Sequence, residues 1–181
     1  MCGLLGMLAA TGDVDKYVDA LERSLPCMRH RGPDAAGTWH DGDAAFGFNR
    51  LSIIDLEHSH QPLRWGPEDQ PDRYAMTFNG EIYNYVELRE ELKGLGYTFH
   101  TEGDGEPIVV GYHHWGKDVV NHLRGMFGIV IWDTHTKTMF AARDQFGIKP
   151  LYYATTDAGT VFASEMKCIL EMADEIGLEL N

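Results

Sequence analysis

Met126-Phe127-Gly128-Ile129-Val130-Ile131-Trp132, then Asp133-Thr134-His135-Thr136-Lys137, then Thr138-Met139-Phe140-Ala141-Ala142 is the stretch on which the fold turns. Its apolar, β-branched and aromatic run predicts a strand over Met126–Trp132, the polar residues Asp133–Lys137 predict a turn, and Met139–Ala142 predicts a second strand. Toward the C-terminus, strands are expected at Leu151–Ala154 and Val161–Ala163, followed by a helix from Ser164 to about Ile176.

Working back from the hairpin, a short helix is expected at Asp118–Leu123. Before it, Pro107 stands in the first turn of a helix that continues from Ile108 to Trp115 and stops at Gly116. Another helix is read from Asn84 to Leu95, with Asn84 as N-cap and Glu87 completing a capping box. Tyr74–Phe78 reads as a strand running into Asn79-Gly80. The stretch Glu57–Pro71, with its three prolines, reads as an extended surface loop. Strands are suggested at Gly37–His40, Ala44–Phe48 and Leu51–Ile54, and Arg29–Asp34 has loop chemistry. Val14, Val18, Leu21, Leu25 and Met28 recur at helical intervals, and the residues after Cys2 form a short buried strand that ends at Thr11-Gly12-Asp13. Long runs of strands with helices clustered between them point to an α+β fold of largely antiparallel sheets. No linker divides the chain, so residues 1–181 are read as one domain.

With 181 residues, 44% of them hydrophobic and 24% charged, the chain can bury a core without disulfides or metal. Fifteen Lys and Arg stand against 28 Asp and Glu, a net charge of −13. That balance disfavours a nucleic-acid or anionic-membrane partner. The three cysteines, Cys2, Cys27 and Cys168, are odd in number and widely spaced, which suits a reducing, cytoplasmic location. No signal peptide or membrane-spanning segment is expected. His58-Ser59-His60 and His113-His114 lack metal-ligand spacing, so no metal site is expected. Cys27 and Cys168, on apolar helical faces, read as core residues.

Several segments are polar or glycine-rich where a core would be apolar: Arg31-Gly32-Pro33-Asp34, Asn49-Arg50-Leu51-Ser52-Ile53-Ile54-Asp55, Phe78-Asn79-Gly80-Glu81-Ile82-Tyr83-Asn84 and Gly103-Asp104-Gly105-Glu106. Cys2-Gly3 opens the chain, and Ala142-Arg143-Asp144-Gln145-Phe146-Gly147-Ile148-Lys149-Pro150-Leu151-Tyr152-Tyr153 and Ala163-Ser164-Glu165-Met166-Lys167 follow near its end. With these motifs in this order, the whole chain resembles the class II glutamine amidotransferases, which are N-terminal-nucleophile hydrolases. The likeness is nearest to the glutaminase domain of glutamine-hydrolysing asparagine synthetases, because the arginine segment has the form Asn49-Arg50-Leu51-Ser52-Ile53-Ile54-Asp55.

The resemblance implies a four-layer αββα sandwich of antiparallel sheets. If Met1 is removed, as a small second residue permits, Cys2 carries both a thiol and a free α-amine. A thiol of pKa about 8.5 needs a base near neutrality, and an α-amine of pKa about 8 on the same residue can supply it. Attack of Cys2 on the glutamine side-chain amide would give a γ-glutamyl thioester and ammonia, and water would then release glutamate. Asn79, through its side-chain NH₂, and Gly80, through its backbone N–H, are the implied oxyanion donors. Arg50 would grip the α-carboxylate and Asp104 the α-ammonium, with backbone groups near Ile53 and Glu81 completing the pocket. Arg31 either lies beside the nucleophile or only holds its loop.

Each residue also has a plainer reading. Asn79-Gly80 is the commonest hairpin turn, Arg50 could pair ions at the surface, and Asp104 could cap the following helix. Relatives of this kind carry a synthetase domain that uses ATP and Mg²⁺ to amidate a carboxylate, aspartate by default. That domain is expected as a partner in cis or in trans, docked against apolar surface near Phe146–Tyr153 and Met166–Leu170. No cofactor is expected for the glutaminase domain itself, and a homodimer is compatible with the family. The alternatives are an amidotransferase for another carboxylate, such as a cell-wall peptide acid, or a non-catalytic domain with this fold should Met1 be retained.

Overall fold

A computed structural model describes residues 2–51 and 60–179, which divide into two compact units, Met1–Leu51 with Lys149–Asn181, and Ser52–Ile148. Nine strands fall within the described residues: β1 Gly3–Ala9, β2 Ala35–His40, β3 Ala44–Arg50, β4 Leu63–Trp65, β5 Tyr74–Ile82, β6 Gly125–Asp133, β7 Thr138–Arg143, β8 Tyr152–Thr156 and β9 Gly159–Ala163. They form two sheets, and every pairing is antiparallel. The expected α+β class of antiparallel sheets with few helices is the observed one.

The first unit carries a sheet of order β2-β3-β1-β9-β8. Helix α1 (Asp15–Ser24), a 3-10 segment (Leu25–Arg31), and helices α4 (Met166–Glu171) and α5 (Ala173–Ile176) cover one face of it. Alternation along β1 sends Leu5, Met7 and Ala9 into that core, where they meet Leu21, Met28 and Ile169. Leu4, on the opposite face, is equally buried. Burial on both faces is why β1 reads as a continuous apolar run rather than an alternating one. The helical periodicity from Val14 to Met28 divides at Pro26, whose ring is accommodated only in a first turn, so the chain continues as the tighter 3-10 segment.

The second unit carries the sheet β4-β5-β6-β7. Helices α2 (Tyr85–Gly94) and α3 (Glu106–Trp115) bury Leu88, Leu92 and Ile108 to Val110 against Met76, Phe78, Ile129 and Ile131. The hairpin Met126–Ala142 forms as read, each strand one residue longer at both ends, and Lys137 adopts φ 54° in the turn. The short helix expected at Asp118–Leu123 is a 3-10 segment, Gly116–Asn121.

Five expectations need correction. β5 does not stop at Phe78: it runs to Ile82, and Asn79 and Gly80 pair with Gly128 and Phe127 inside the ladder rather than forming a turn. Asn84 occupies the N-cap position of α2 but makes no capping hydrogen bond. Its amide instead donates to the His122 carbonyl at 2.9 Å and accepts from the Arg124 N–H at 2.8 Å, tying α2 to the start of β6. The loop read over Glu57–Pro71 contains β4, whose Leu63 and Trp65 are buried on either side of exposed Arg64; three residues next to Pro62 are too few for periodicity to declare a strand. The last helix does not begin at Ser164, because Ser164 exchanges bonds with Leu4 and prolongs the sheet; it begins at Met166 and is interrupted at Met172. Of the strand read at Leu51–Ile54, Leu51 is not in a strand and residues 52–54 lie outside the described residues.

Candidate functional site

Cys2 immediately precedes β1, and the register Gly3↔Asn49 sets it beside the end of β3. Its half-buried thiol donates to the Leu51 carbonyl oxygen at 3.6 Å. Arg50, the last residue of β3, is 6% exposed. Its backbone carbonyl accepts from the Asp34 N–H at 3.1 Å, so the Arg31–Asp34 loop is fastened to the strand end that carries the arginine. Gly32 makes that approach feasible, since a Cβ there would lie 2.3 Å from the Asn49 carbonyl oxygen and 2.6 Å from the Arg50 carbonyl carbon. Both clashes are with backbone, which cannot swing aside.

Arg31 donates from Nε to Glu165, which also faces His30 Nε2 at 3.4 Å. Its Nη1 is buried with no hydrogen-bond partner among the described residues. Burial acts to raise the Glu165 pKa, but the hydrogen bond and charge of Arg31, with Lys167 and His30, outweigh it and hold the carboxyl below its usual value. Glu165 was not singled out as a site residue by sequence, although the motif Ser164-Glu165 contained it. Within the first unit, then, Cys2 and Arg50 stand at the same end of the β1–β3 pair, while Arg31 is paired with Glu165.

In the second unit the candidates within the described residues, Asn79, Gly80, Glu81 and Asp104, gather at the end of β5. Asn79 is 0% exposed, and neither atom of its side-chain amide has a hydrogen-bond partner among the described residues. Such a group ordinarily costs about 1–3 kcal/mol, so an unspent amide inside a packed sheet is a feature to explain. Gly80 admits no side chain: a Cβ would stand 2.2 Å from the Met126 carbonyl oxygen and 2.8 Å from Phe127 Cα. Glu81 is half-buried, and the N–H of Ile82 donates to Asp104 Oδ2 at 2.9 Å. Asp104 therefore does not cap α3, whose N-cap is Gly105; its carboxylate is turned back onto β5. Burial raises the Asp104 pKa, the N–H groups of Ile82 and of Asp104 itself reduce the shift, and the Glu81 charge adds to it.

Gln61 is a contributor that sequence reading missed. β4 accompanies β5 only as far as Met76, and past that point the Gln61 amide replaces a strand: it accepts from the Phe78 N–H at 3.1 Å and donates to the Phe78 carbonyl at 2.7 Å. Phe78 is thus held directly before Asn79. No local pattern marks a glutamine for this task. Ile53 lies outside the described residues, as do His58 and Ser59.

His113 and His114 bond separately, to the hydroxyls of Tyr74 at 3.1 Å and Tyr97 at 3.0 Å. Among the described residues no three His, Cys, Asp or Glu side chains are grouped to hold a metal ion, and no helix is long and apolar enough to cross a membrane. Cys168 is fully buried, and Cys27 is half-buried against the same core.

The family model of the glutamine amidotransferase domain matches residues 1–180. A putative glutamine-hydrolysing asparagine synthetase of Mycobacterium tuberculosis is 55% identical over 99% of this chain and 29% of its own length. Asparagine synthetase [glutamine-hydrolyzing] 1 of Bacillus subtilis is 42% identical over 99% of this chain and 28% of its own length. The chain therefore spans under a third of these relatives. Among solved structures, the glutamine phosphoribosylpyrophosphate amidotransferase from B. subtilis shares the fold with a TM-score of 0.69 at 21% identity, over 97% of this chain and 44% of that one.

Proposed function

We propose, from the premise that this chain belongs to the glutamine amidotransferase domain family, that Cys2 hydrolyses the side-chain amide of glutamine through a γ-glutamyl thioester. The thiol proton passes to the α-amine of the same residue, and the thiolate attacks the amide carbon. The oxyanion so formed takes hydrogen bonds from the Asn79 NH₂ and the Gly80 N–H. The ammonium then returns its proton to the leaving nitrogen, the C–N bond breaks, and ammonia departs. Water attacks the thioester, releasing glutamate and restoring the thiol. Arg50 binds the α-carboxylate and Asp104 the α-ammonium.

The observation that carries this reading is Asn79, fully buried on a strand with both amide atoms unpartnered among the described residues, next to a glycine that tolerates no side chain. A donor kept free in a water-poor site is worth most where charge develops in a transition state. In the test, the processed chain releases glutamate and ammonia in equal amounts from glutamine, and Cys2→Ala releases neither. Hydrolysis by Cys2→Ala at the parent rate would defeat the assignment.

The relatives' names support a wider role. In this reading the ammonia feeds ATP- and Mg²⁺-dependent amidation of a carboxylate, aspartate by default, in a synthetase domain present in cis or in trans. Exposed apolar residues support such a neighbour: Phe146 and Ile148 in one unit, and Tyr152, Tyr153, Met166 and Leu170 in the other. Phe146 and Ile148 also line a cavity of about 590 Å³ with Tyr83, Leu123 and Phe127. The chain alone should make no asparagine from aspartate and ATP. ATP-dependent amidation by these 181 residues unaided would end this division of labour.

A further inference from the structure

The loop Thr101-Glu102-Gly103, which delivers Asp104, is held from two sides by buried charges of opposite sign. Arg89, on α2, is 4% exposed. Its Nη1 donates to the Thr101 carbonyl and, at 3.2 Å, to Glu102 Oε2; its Nη2 donates to the Gly103 carbonyl at 2.8 Å. The guanidinium also lies 5.1 Å from the centre of the Phe99 ring. From the other side Glu106, 1% exposed in the first turn of α3, accepts from the N–H groups of His100 and Thr101 and from the Thr101 hydroxyl at 2.7–3.1 Å.

A buried arginine usually faces a buried acid. Here the acid it meets, Glu102, has a side chain 91% exposed, so most of the guanidinium's hydrogen bonding goes to loop carbonyls. The planar fork suits that task, because two carbonyls two residues apart in sequence are fixed at once, which a single ammonium cannot do with the same geometry. With the N–H side of the loop fixed by Glu106 and Asp104 fixed to the Ile82 N–H at 2.9 Å, the acid is restrained along its whole approach.

We propose that Arg89 is a positioning residue for glutamine affinity: it fixes the Thr101–Gly103 carbonyls so that the Asp104 carboxylate stands ready to receive the substrate's α-ammonium. This rests on the proposed role of Asp104. Arg89 acts through the loop that carries Asp104, so its loss should raise KM and leave kcat nearly unchanged.

The test measures glutamine hydrolysis by the full chain with Arg89→Lys, Arg89→Met, Asp104→Asn and the double variant Arg89→Lys/Asp104→Asn, each with a thermal melt. Every variant is assayed on glutamine and on glutaramate, which lacks the α-amine. Arg89→Lys should raise the glutamine KM about 10-fold, with kcat within about twofold, and should narrow the preference for glutamine over glutaramate. Combined with Asp104→Asn it should add almost nothing, since the acid it serves is gone. Arg89→Met tests the same point more severely where it folds; Arg89→Lys keeps the charge and decides the matter where it does not. Asp104→Asn shifting the preference while Arg89→Lys leaves it untouched, or the two effects multiplying, overturns the role of Arg89 alone. Asp104→Asn leaving the preference unchanged overturns the ammonium role of Asp104, and this inference with it.

Discussion

The carboxylate of Asp104 accepts a hydrogen bond of 2.9 Å from the backbone N–H of Ile82, three residues beyond Asn79 on the same strand. One bond thus joins the proposed ammonium acceptor to the strand that carries the proposed oxyanion donors. It also leaves a carboxylate in a place that resists charge, since burial raises its pKa and the two backbone N–H groups only partly offset this. Between the ordinary aspartate value and the raised one, the folded chain binds more protons than the unfolded chain. The contribution of this group to stability therefore falls as pH rises through that window, and its cost is fully present above it. Asp104→Asn, which keeps an acceptor for Ile82, should raise the melting temperature at pH 7 and lose that gain below the window, while raising the glutamine KM about 10–100-fold, the equivalent of one hydrogen bond to a charged group. A melting temperature lowered at pH 7 would refute the cost assigned to Asp104.

In the unmodified chain the same shift predicts a pH effect on binding. Protonation of Asp104 removes its attraction for ammonium, so the glutamine KM should climb as pH falls, starting above the range in which an exposed aspartate titrates. Initial rates against glutamine at a series of pH values check this. The climb should vanish in Asp104→Asn.

Asn79 should show stability and activity moving apart. Because its amide is buried without partners among the described residues, Asn79→Leu removes an unpaid polar burial and should not lower the melting temperature. The same change should cut kcat by about 10²–10³-fold, the usual effect of losing one oxyanion donor. An effect confined to KM would assign Asn79 to substrate binding instead.

Gly80→Ala should fail for a different reason. Its Cβ would meet the Met126 carbonyl and Phe127 Cα, both backbone of the paired strand, so β5 and β6 must separate locally. A loss of about 1–3 kcal/mol or more in denaturant unfolding is expected, together with loss of glutaminase activity.

Much of this was legible in residue order. The two strands and turn from Met126 to Ala142 were read correctly because they are long and compositionally distinct, and the runs of strands along the chain pointed to antiparallel sheets. The motifs around Cys2, Arg50, Asn79 and Asp104 gave the candidate site. Illegible were the features settled by tertiary contact. Asn79-Gly80 has turn composition, yet it is held in the ladder by Gly128 and Phe127, whose sequence distance hides the pairing. Asn84 has cap composition, yet His122 and Arg124 claim its amide. Arg89 looks like one more charge on a helix, and only the approach of Thr101 and Gly103 distinguishes it.

Cysteine reactivity separates the proposed nucleophile from the core. Burial, with Cys27 a smaller influence, pushes the Cys168 thiol up to about 12, so at pH 8 it is almost wholly protonated and enclosed. Iodoacetamide should label Cys2 and spare Cys168 in the folded chain. Peptide mapping that finds Cys168 alkylated first would contradict both placements.

The central claim is a glutamyl group carried on Cys2. Its most direct measurement is intact-mass and peptide analysis of the chain, its N-terminus verified as Cys2, mixed with glutamine and quenched in acid within the first turnover. A mass increase of one glutamyl group on the peptide beginning at Cys2, absent from Cys2→Ala and discharged by hydroxylamine, is predicted. Turnover of glutamine with no adduct on Cys2, or with the adduct on another residue, would contradict it.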